Sequence, residues 1–371
     1  MNKLRKLAQL GQSIWYDNIS RAMILNGNLR HLVDEGLLGV TSNPAIFDKA
    51  ISGSNDYDTQ IREMAEKNPT ISTGEIIQAL MVQDIQMACD VLKSAYDRSN
   101  GLDGYASIEV QPAKAHDSRS TIEEVRELFA KVNRRNLMVK IPSTREGLIA
   151  IEQMTYEGRN INVTLIFSVE RYRMVAEAYI RGLERRAEEG KSVDLVQSVA
   201  SIFVGRLDTL VDSILAGKDP SKFTSLMGKA AVANAKFAYQ AFKEIFGSAR
   251  FKSLEAKGAH LQRPLWGSTG SKNPEYSDLL YVDSLIGPHT VNTVPPQTYA
   301  AILDHGKPEL TIEAGVDGAR AVISALAAAG IDIGAATEKL EKDGIAAFEK
   351  SFEKLYQNVL DKRNAFVAAE A

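Results

Sequence analysis

The sequence predicts a closed (β/α)8 barrel, and three observations predict it. Short apolar runs alternate with runs of helical apolar spacing along most of the chain, which is the pattern of β-α units around a parallel sheet. Eight strand-like runs can be counted, the number that closes a barrel. An open doubly wound sheet is the alternative, but the G-x-G-x-x-G turn that usually marks it does not follow the first run.

In chain order, residues 13–19 form a short apolar-aromatic stretch carrying one acid, Asp17. Ser20 reads as a helix N-cap, and 21–34 has helical spacing at Met23, Leu25, Leu29, Leu32 and Val33. Gly36 and Gly39 close that helix, and 39–44 reads as the second strand. The rhythm then breaks. Residues 45–104 read as a helical insertion, with a charge-rich helix over 56–67 and a long amphipathic one over 75–98.

The alternation resumes with a strand at 105–111 and a helix through Val132, opened by an expected capping box at Ser120–Glu123. Residues 136–141 form an apolar strand bounded by Pro142, typical of a parallel strand buried on both faces. A helix over 146–156, a strand over 161–167 and a Ser168-capped helix to about 188 come next. Strands are expected at 194–201, 263–270 and 290–294, separated by a long helical stretch over 203–256 and a short piece at 276–285. A C-terminal amphipathic helix over 344–367 carries Ile345, Phe348, Phe352, Leu355, Tyr356, Val359 and Leu360; its stripe reads as packing against the barrel near its mouth. The expected organisation is one barrel domain over 1–371, with the insertion at about 45–104 and a C-terminal helical segment at about 335–371.

Composition excludes several classes of function. The chain has 371 residues, 44% hydrophobic and 25% charged, with a formal net charge of −3. No Lys/Arg cluster dominates, which argues against nucleic-acid or membrane-surface partners. The single cysteine, Cys89, allows no internal disulfide and fits a reducing, cytoplasmic setting. The basic start has no apolar core behind it and does not read as a signal peptide. The expected assembly is a monomer or homodimer. Five histidines, mostly outside the strands, argue against a metal site.

Chemistry concentrates at the C-terminal halves of the strands. Asp17, Asn43, Glu109, Lys140, Asn162, Thr164, Ser201 and Ser268 all fall there, where barrel enzymes build their sites. Each alone reads as a satisfied structural polar group; together at one end they are hard to explain structurally. Lys140 alone reads as a lysine snorkelling from a strand end. In this company it reads as a buried amine whose lowered pKa makes it a Schiff-base nucleophile.

Here the residues match a family. Trp15-Tyr-Asp-Asn18, Thr41-Ser-Asn-Pro44, Ser107-Ile-Glu109, Met138-Val-Lys-Ile-Pro142, Ile161-Asn-Val-Thr-Leu-Ile-Phe-Ser168 and Phe203-Val-Gly-Arg206 resemble the strand motifs of transaldolases, in order. The resemblance runs from about residue 11 to the C-terminus, through Arg263-Pro-Leu-Trp266. It implies a TIM barrel of the pentose phosphate pathway in which Lys140 forms a Schiff base with a ketose phosphate, with no metal or organic cofactor. It implies that Asp17 takes the C4 hydroxyl proton and that Glu109, with Thr164, handles water during imine formation. A carboxylate beside Lys140 favours the ammonium, so burial has to oppose that attraction. Asn43, Asn162 and Ser201 would hold the three-carbon unit, with Ser107, Phe203 and Ser268 also in the substrate-binding set. Arg206 matches the phosphate-binding arginine, and Lys272 stands where an arginine is common after the seventh strand. A related aldolase releasing free dihydroxyacetone, a catalytically silent scaffold barrel and a metal-dependent hydrolase are the competing readings.

Overall fold

Strands form where apolar runs meet partners on both sides. They are β1 Gln12–Tyr16, β2 Gly39–Thr41, β3 Tyr105–Glu109, β4 Leu137–Pro142, β5 Ile161–Ile166, β6 Ser198–Phe203, β7 Gln262–Gly267 and β8 Thr290–Val294. The computed structural model describes residues 2–218 and 220–370; Met1, Asp219 and Ala371, which the expected domain span includes, lie outside the described residues. Every strand pair is parallel, and β8 returns to β1 to close the barrel in sequence order. The expected (β/α)8 barrel is the observed fold.

Register decides which side chains enter the barrel. Glu109 pairs with Lys140, Lys140 with Asn162, Asn162 with Val199 and Val199 with Arg263, and partners in a parallel ladder share a face. Period-two alternation then carries Ser201, Phe203 and Thr164 to the same interior. Below the polar residues, Trp15, Tyr105, Met138, Val199, Leu265 and Val291 form an apolar plug. Gly39 is required here, because a Cβ would sit 2.5 Å from the Trp15 ring. At the N-terminal end Arg263 pairs with Asp103 at 2.9 Å, and Ser13 and Trp15 also bond the Asp103 carboxylate at 2.7 and 3.0 Å.

Several expected boundaries move. The helix expected over 21–34 divides into Arg21–Leu25 and Asn28–Glu35, because Gly27 takes a left-handed φ of 84° between them. The capping box expected at Ser120–Glu123 is absent: Asp117 caps instead, accepting the Ser120 N–H at 3.1 Å, while Glu123 pairs with Arg119. A true capping box opens Thr73–Arg98, between Ser72 and Glu75. The strand expected at 194–201 is displaced to Ser198–Phe203, where β7 supplies a partner from Gln262 to Gly267. The stretch over 203–256 breaks into Gly205–Lys218, Pro220–Phe223, a 3-10 turn at Thr224–Leu226, Ala230–Phe246 and Ala249–Glu255, and the strand expected to reach residue 270 ends at Gly267. The piece at 276–285 is helical only over Leu280–Asp283.

Between β2 and β3 lie helices Pro44–Ser52, Asp58–Lys67 and Thr73–Arg98. The C-terminal helix Ile333–Glu370 starts earlier than expected and packs across them. Asp48 accepts from Lys354 and Asn358 at 2.8 and 2.5 Å, and Lys362 pairs with Asp58 at 2.5 Å. Its Phe348 meets Phe203 edge-on, centroids 6.5 Å apart, so this helix reaches the mouth of the barrel. Among the described residues no single helix is long and apolar enough to cross a membrane.

Candidate active site

The C-terminal end of the barrel brings three ionisable groups together. Lys140, on β4, is 4% exposed, and its Nζ lies 3.4 Å from Glu109 Oε2 on β3. The same Nζ donates to the Ser42 carbonyl at 3.1 Å, which fixes the direction of the side chain. Glu109 is 5% exposed, and among the described residues neither of its oxygens has a hydrogen-bond partner; the contact with Lys140 is an ion pair without hydrogen-bond geometry. Burial disfavours its charge more than the Lys140 ammonium favours it, and pushes the carboxyl up to about 7. Asp17 follows β1, half-buried within the concave site, and accepts from Thr41 Oγ1 at 2.6 Å. Burial raises its pKa above the ordinary value, against the pull of Lys140 and the Thr41 hydroxyl.

On β5, Asn162 links two hydroxyls. Its amide donates to Ser107 Oγ at 3.1 Å and accepts from Ser201 Oγ at 2.7 Å. Thr164 is fully buried, and among the described residues its hydroxyl has no partner. The β5–β6 register slips between Val163 and Ile166, and Leu165 takes a φ of 59°. A left-handed leucine costs about 1–2 kcal/mol, strain of a kind that collects at functional sites. Unpaired buried oxygens on Glu109 and Thr164, both on the barrel interior, suit a bound water or substrate hydroxyl.

Asn43 turns its oxygen to the backbone, capping Pro44–Ser52 by accepting from Ile46 N at 3.0 Å, so its amide donors remain. Phe203 packs between Phe167 and Phe348, and the Arg206 guanidinium lies 5.3 Å from its ring centre. Arg206 stands in the first turn of Gly205–Lys218. Among the described residues no carboxylate pairs with it, and burial disfavours its charge. A cation in that state is favourable to an incoming anion. Ser268 follows β7 with a φ of 54°, and its carbonyl accepts from Gly205 N at 3.1 Å, tying this loop to the start of the Arg206 helix. Lys272 lies exposed farther along the loop, outside the hydrogen-bonded network around Lys140.

A model of the family described as Transaldolase/Fructose-6-phosphate aldolase matches residues 14–359. The chain belongs to this family. Within the transaldolase/fructose-6-phosphate aldolase family it is 46% identical to Transaldolase 2 of Nostoc sp. (strain PCC 7120 / SAG 25.82 / UTEX 2576), over 98% of each chain. It is 45% identical to Transaldolase of Mycolicibacterium smegmatis over 95% of each chain. It is 43% identical to Transaldolase of Thiobacillus denitrificans, over 97% of this chain and all of that one. Thr41 and Ser42, which contact Asp17 and Lys140, and Thr293 beyond Thr41, were not singled out from the sequence. Thr41 and Ser42 lie inside a motif used only for Asn43, and Thr293 carries no local signal beyond its place on a strand.

Proposed function

We propose that the protein is a transaldolase. It transfers a dihydroxyacetone unit from sedoheptulose 7-phosphate to glyceraldehyde 3-phosphate, giving erythrose 4-phosphate and fructose 6-phosphate. The observation that carries this reading is the buried Lys140 Nζ, 3.4 Å from a carboxyl whose pKa is near 7. Such a carboxyl can both take and return protons near neutrality.

Lys140 attacks the ketose C2 carbonyl, forming a carbinolamine that loses water to give the imine. Glu109 moves the protons of that step through a water also held by Thr164. The protonated imine is an electron sink, so C3–C4 breaks, its electron pair enters the imine, and Asp17 accepts the C4 hydroxyl proton. An aldose phosphate leaves and the three-carbon enamine stays on Lys140. The acceptor aldehyde takes the new bond at C3, Asp17 returns the proton to its oxygen, and water releases the product. Because the imine supplies the electron sink, the reaction needs no metal or organic cofactor.

Asn43, Ser107, Asn162 and Ser201 hold the hydroxyls of the three-carbon unit, and Phe203 and Ser268 complete its walls. Arg206 binds the phosphate, with Lys272 as the second cation. The single barrel domain works as a monomer or homodimer in the cytoplasm.

Incubation with fructose 6-phosphate and sodium borohydride tests the mechanism. The expected product is a three-carbon adduct on Lys140, located by peptide mass spectrometry and absent from Lys140→Ala. Erythrose 4-phosphate should discharge the unreduced intermediate. Release of free dihydroxyacetone regardless of acceptor would point to the simple aldolase instead. An adduct on another lysine would sink the assignment of Lys140.

A further inference from the structure

No residue of β8 belongs to the site proposed above, yet that strand carries a hydroxyl directed at its chemistry. Thr293 pairs in register with Trp15 on β1 and is 5% exposed. Its Oγ1 lies 2.6 Å from Thr41 Oγ1, and Thr41 Oγ1 donates at 2.6 Å to Asp17 Oδ1. A threonine hydroxyl has one proton. With the Thr41 proton committed to Asp17, the short contact to Thr293 requires Thr293 to donate. The chain therefore runs from Thr293 through Thr41 to Asp17, across strands β8, β2 and the end of β1. Thr41 is 1% exposed, so both donors are shielded from bulk water. Thr269 Oγ1 anchors β8, its one proton shared between Asn292 Oδ1 at 2.9 Å and the Thr293 carbonyl at 3.2 Å.

We propose that Thr293 is a positioning residue for proton transfer at Asp17, acting through Thr41. The assignment rests on the transaldolase reading. Two aligned donors polarise each other and strengthen the bond to a carboxylate. They hold Oδ1 and leave Oδ2 as the working oxygen. When C3–C4 breaks, the C4 hydroxyl proton moves to Oδ2 and the bonding pair enters the imine; the threonines keep their protons throughout. The other charged groups around Asp17 are Lys140 on β4 and Glu109 on β3, whose own carboxyl Asp17 raises, and both persist when Thr293 is changed. Loss of the Thr293 donor weakens stabilisation of the Asp17 carboxylate, so the basic form appears only at higher pH.

Single-turnover release of the aldose phosphate from the imine isolates this proton transfer from imine formation. We would measure it against pH for the wild type, Thr293→Val, Thr293→Ser, Thr41→Val and the double valine variant, with melting temperature as the check on folding. Thr293→Val should slow the step about three- to tenfold, the effect of weakening one hydrogen bond to a charged group. KM should change little, the acidic limb should move to higher pH, and serine should restore both. The double variant should be no slower than Thr41→Val, because both act through one contact. An unmoved acidic limb in Thr293→Val, or losses that multiply in the double variant, would overturn the assignment. If the valine variant does not fold, Thr293→Ala against Thr293→Ser makes the same comparison. Failure of the wild type to form a borohydride adduct would overturn the transaldolase reading and this assignment together; an adduct with an unchanged Thr293→Val profile overturns only the latter.

Discussion

Glu109 and Lys140 are register partners on adjacent strands, and their charged atoms stand 3.4 Å apart inside the barrel. Two buried groups of opposite charge are usually a structural ion pair, but here only Lys140 has a further hydrogen bond, to the Ser42 carbonyl. Among the described residues both Glu109 oxygens lack hydrogen-bond partners, and burial pushes its carboxyl up to about 7. That is a proton-exchanging arrangement more than a structural one.

The first prediction follows from that value. As pH falls through about 7, Glu109 loses its carboxylate form. Imine formation should therefore show an acidic limb with its midpoint near pH 7. Glu109→Gln should lower kcat by about 10²- to 10⁴-fold, the usual contribution of a general acid-base group, and should abolish the limb. A limb that survives in the glutamine variant would assign it to another group.

Arg206 should act in binding. Its guanidinium lies against the Phe203 ring and, among the described residues, has no carboxylate to lose when a phosphate arrives. Arg206→Ala should raise KM for phosphorylated substrates about 10- to 100-fold, as a charge-assisted hydrogen bond implies, with a smaller change in kcat. Arg206→Lys should recover part of the loss, since an ammonium keeps the charge and loses the fork. Equal losses with phosphorylated and unphosphorylated sugars would contradict a phosphate role.

Asp208 predicts a pH-dependent stability unrelated to catalysis. It is 1% exposed, and burial raises its carboxyl to about 6 from an ordinary 3.8, despite bonds from Ala231 N–H and the Tyr281 hydroxyl. The folded protein holds this proton more tightly than the unfolded chain. Its contribution is thus fully present below about pH 3.8 and lost as pH rises through about 6. Asp208→Asn, which cannot ionise, should gain on the order of 2 kcal/mol relative to the wild type between pH 4 and pH 7. Thermal melts at both pH values check this; a constant difference between the proteins would refute it.

The Asp103–Arg263 pair at the opposite end should matter for stability alone. Both side chains are 5% exposed, and Asp103 also accepts from Ser13 and Trp15. Asp103→Ala leaves a buried arginine unpaired and should cost about 3–5 kcal/mol. Urea denaturation measures the loss. The folded fraction should keep the wild-type KM, because barrel enzymes react at the other face.

The barrel was legible from local pattern, because alternating apolar periods report strand and helix directly. The candidate site was legible in part for the same reason: Asp17, Glu109, Lys140, Asn162 and Thr164 are polar residues in apolar runs, which few structural explanations accommodate. Boundaries were less legible where competing partners decide them. Asp117 outcompeted Ser120 for a helix terminus, and β6 began only where β7 could pair with it.

By itself the sequence determined the succession of elements and the chemical inventory at the strand ends, since both follow from residue type and spacing along the chain. Tertiary structure decided which of those groups meet. Thr41 and Thr293 are separated by 252 positions, yet their hydroxyls lie 2.6 Å apart because barrel closure brings β8 back to β1, beside β2. Glu109 is an ordinary glutamate in the sequence and a carboxyl near 7 in the barrel. Burial and distance set that value, and neither exists until the sheet has closed.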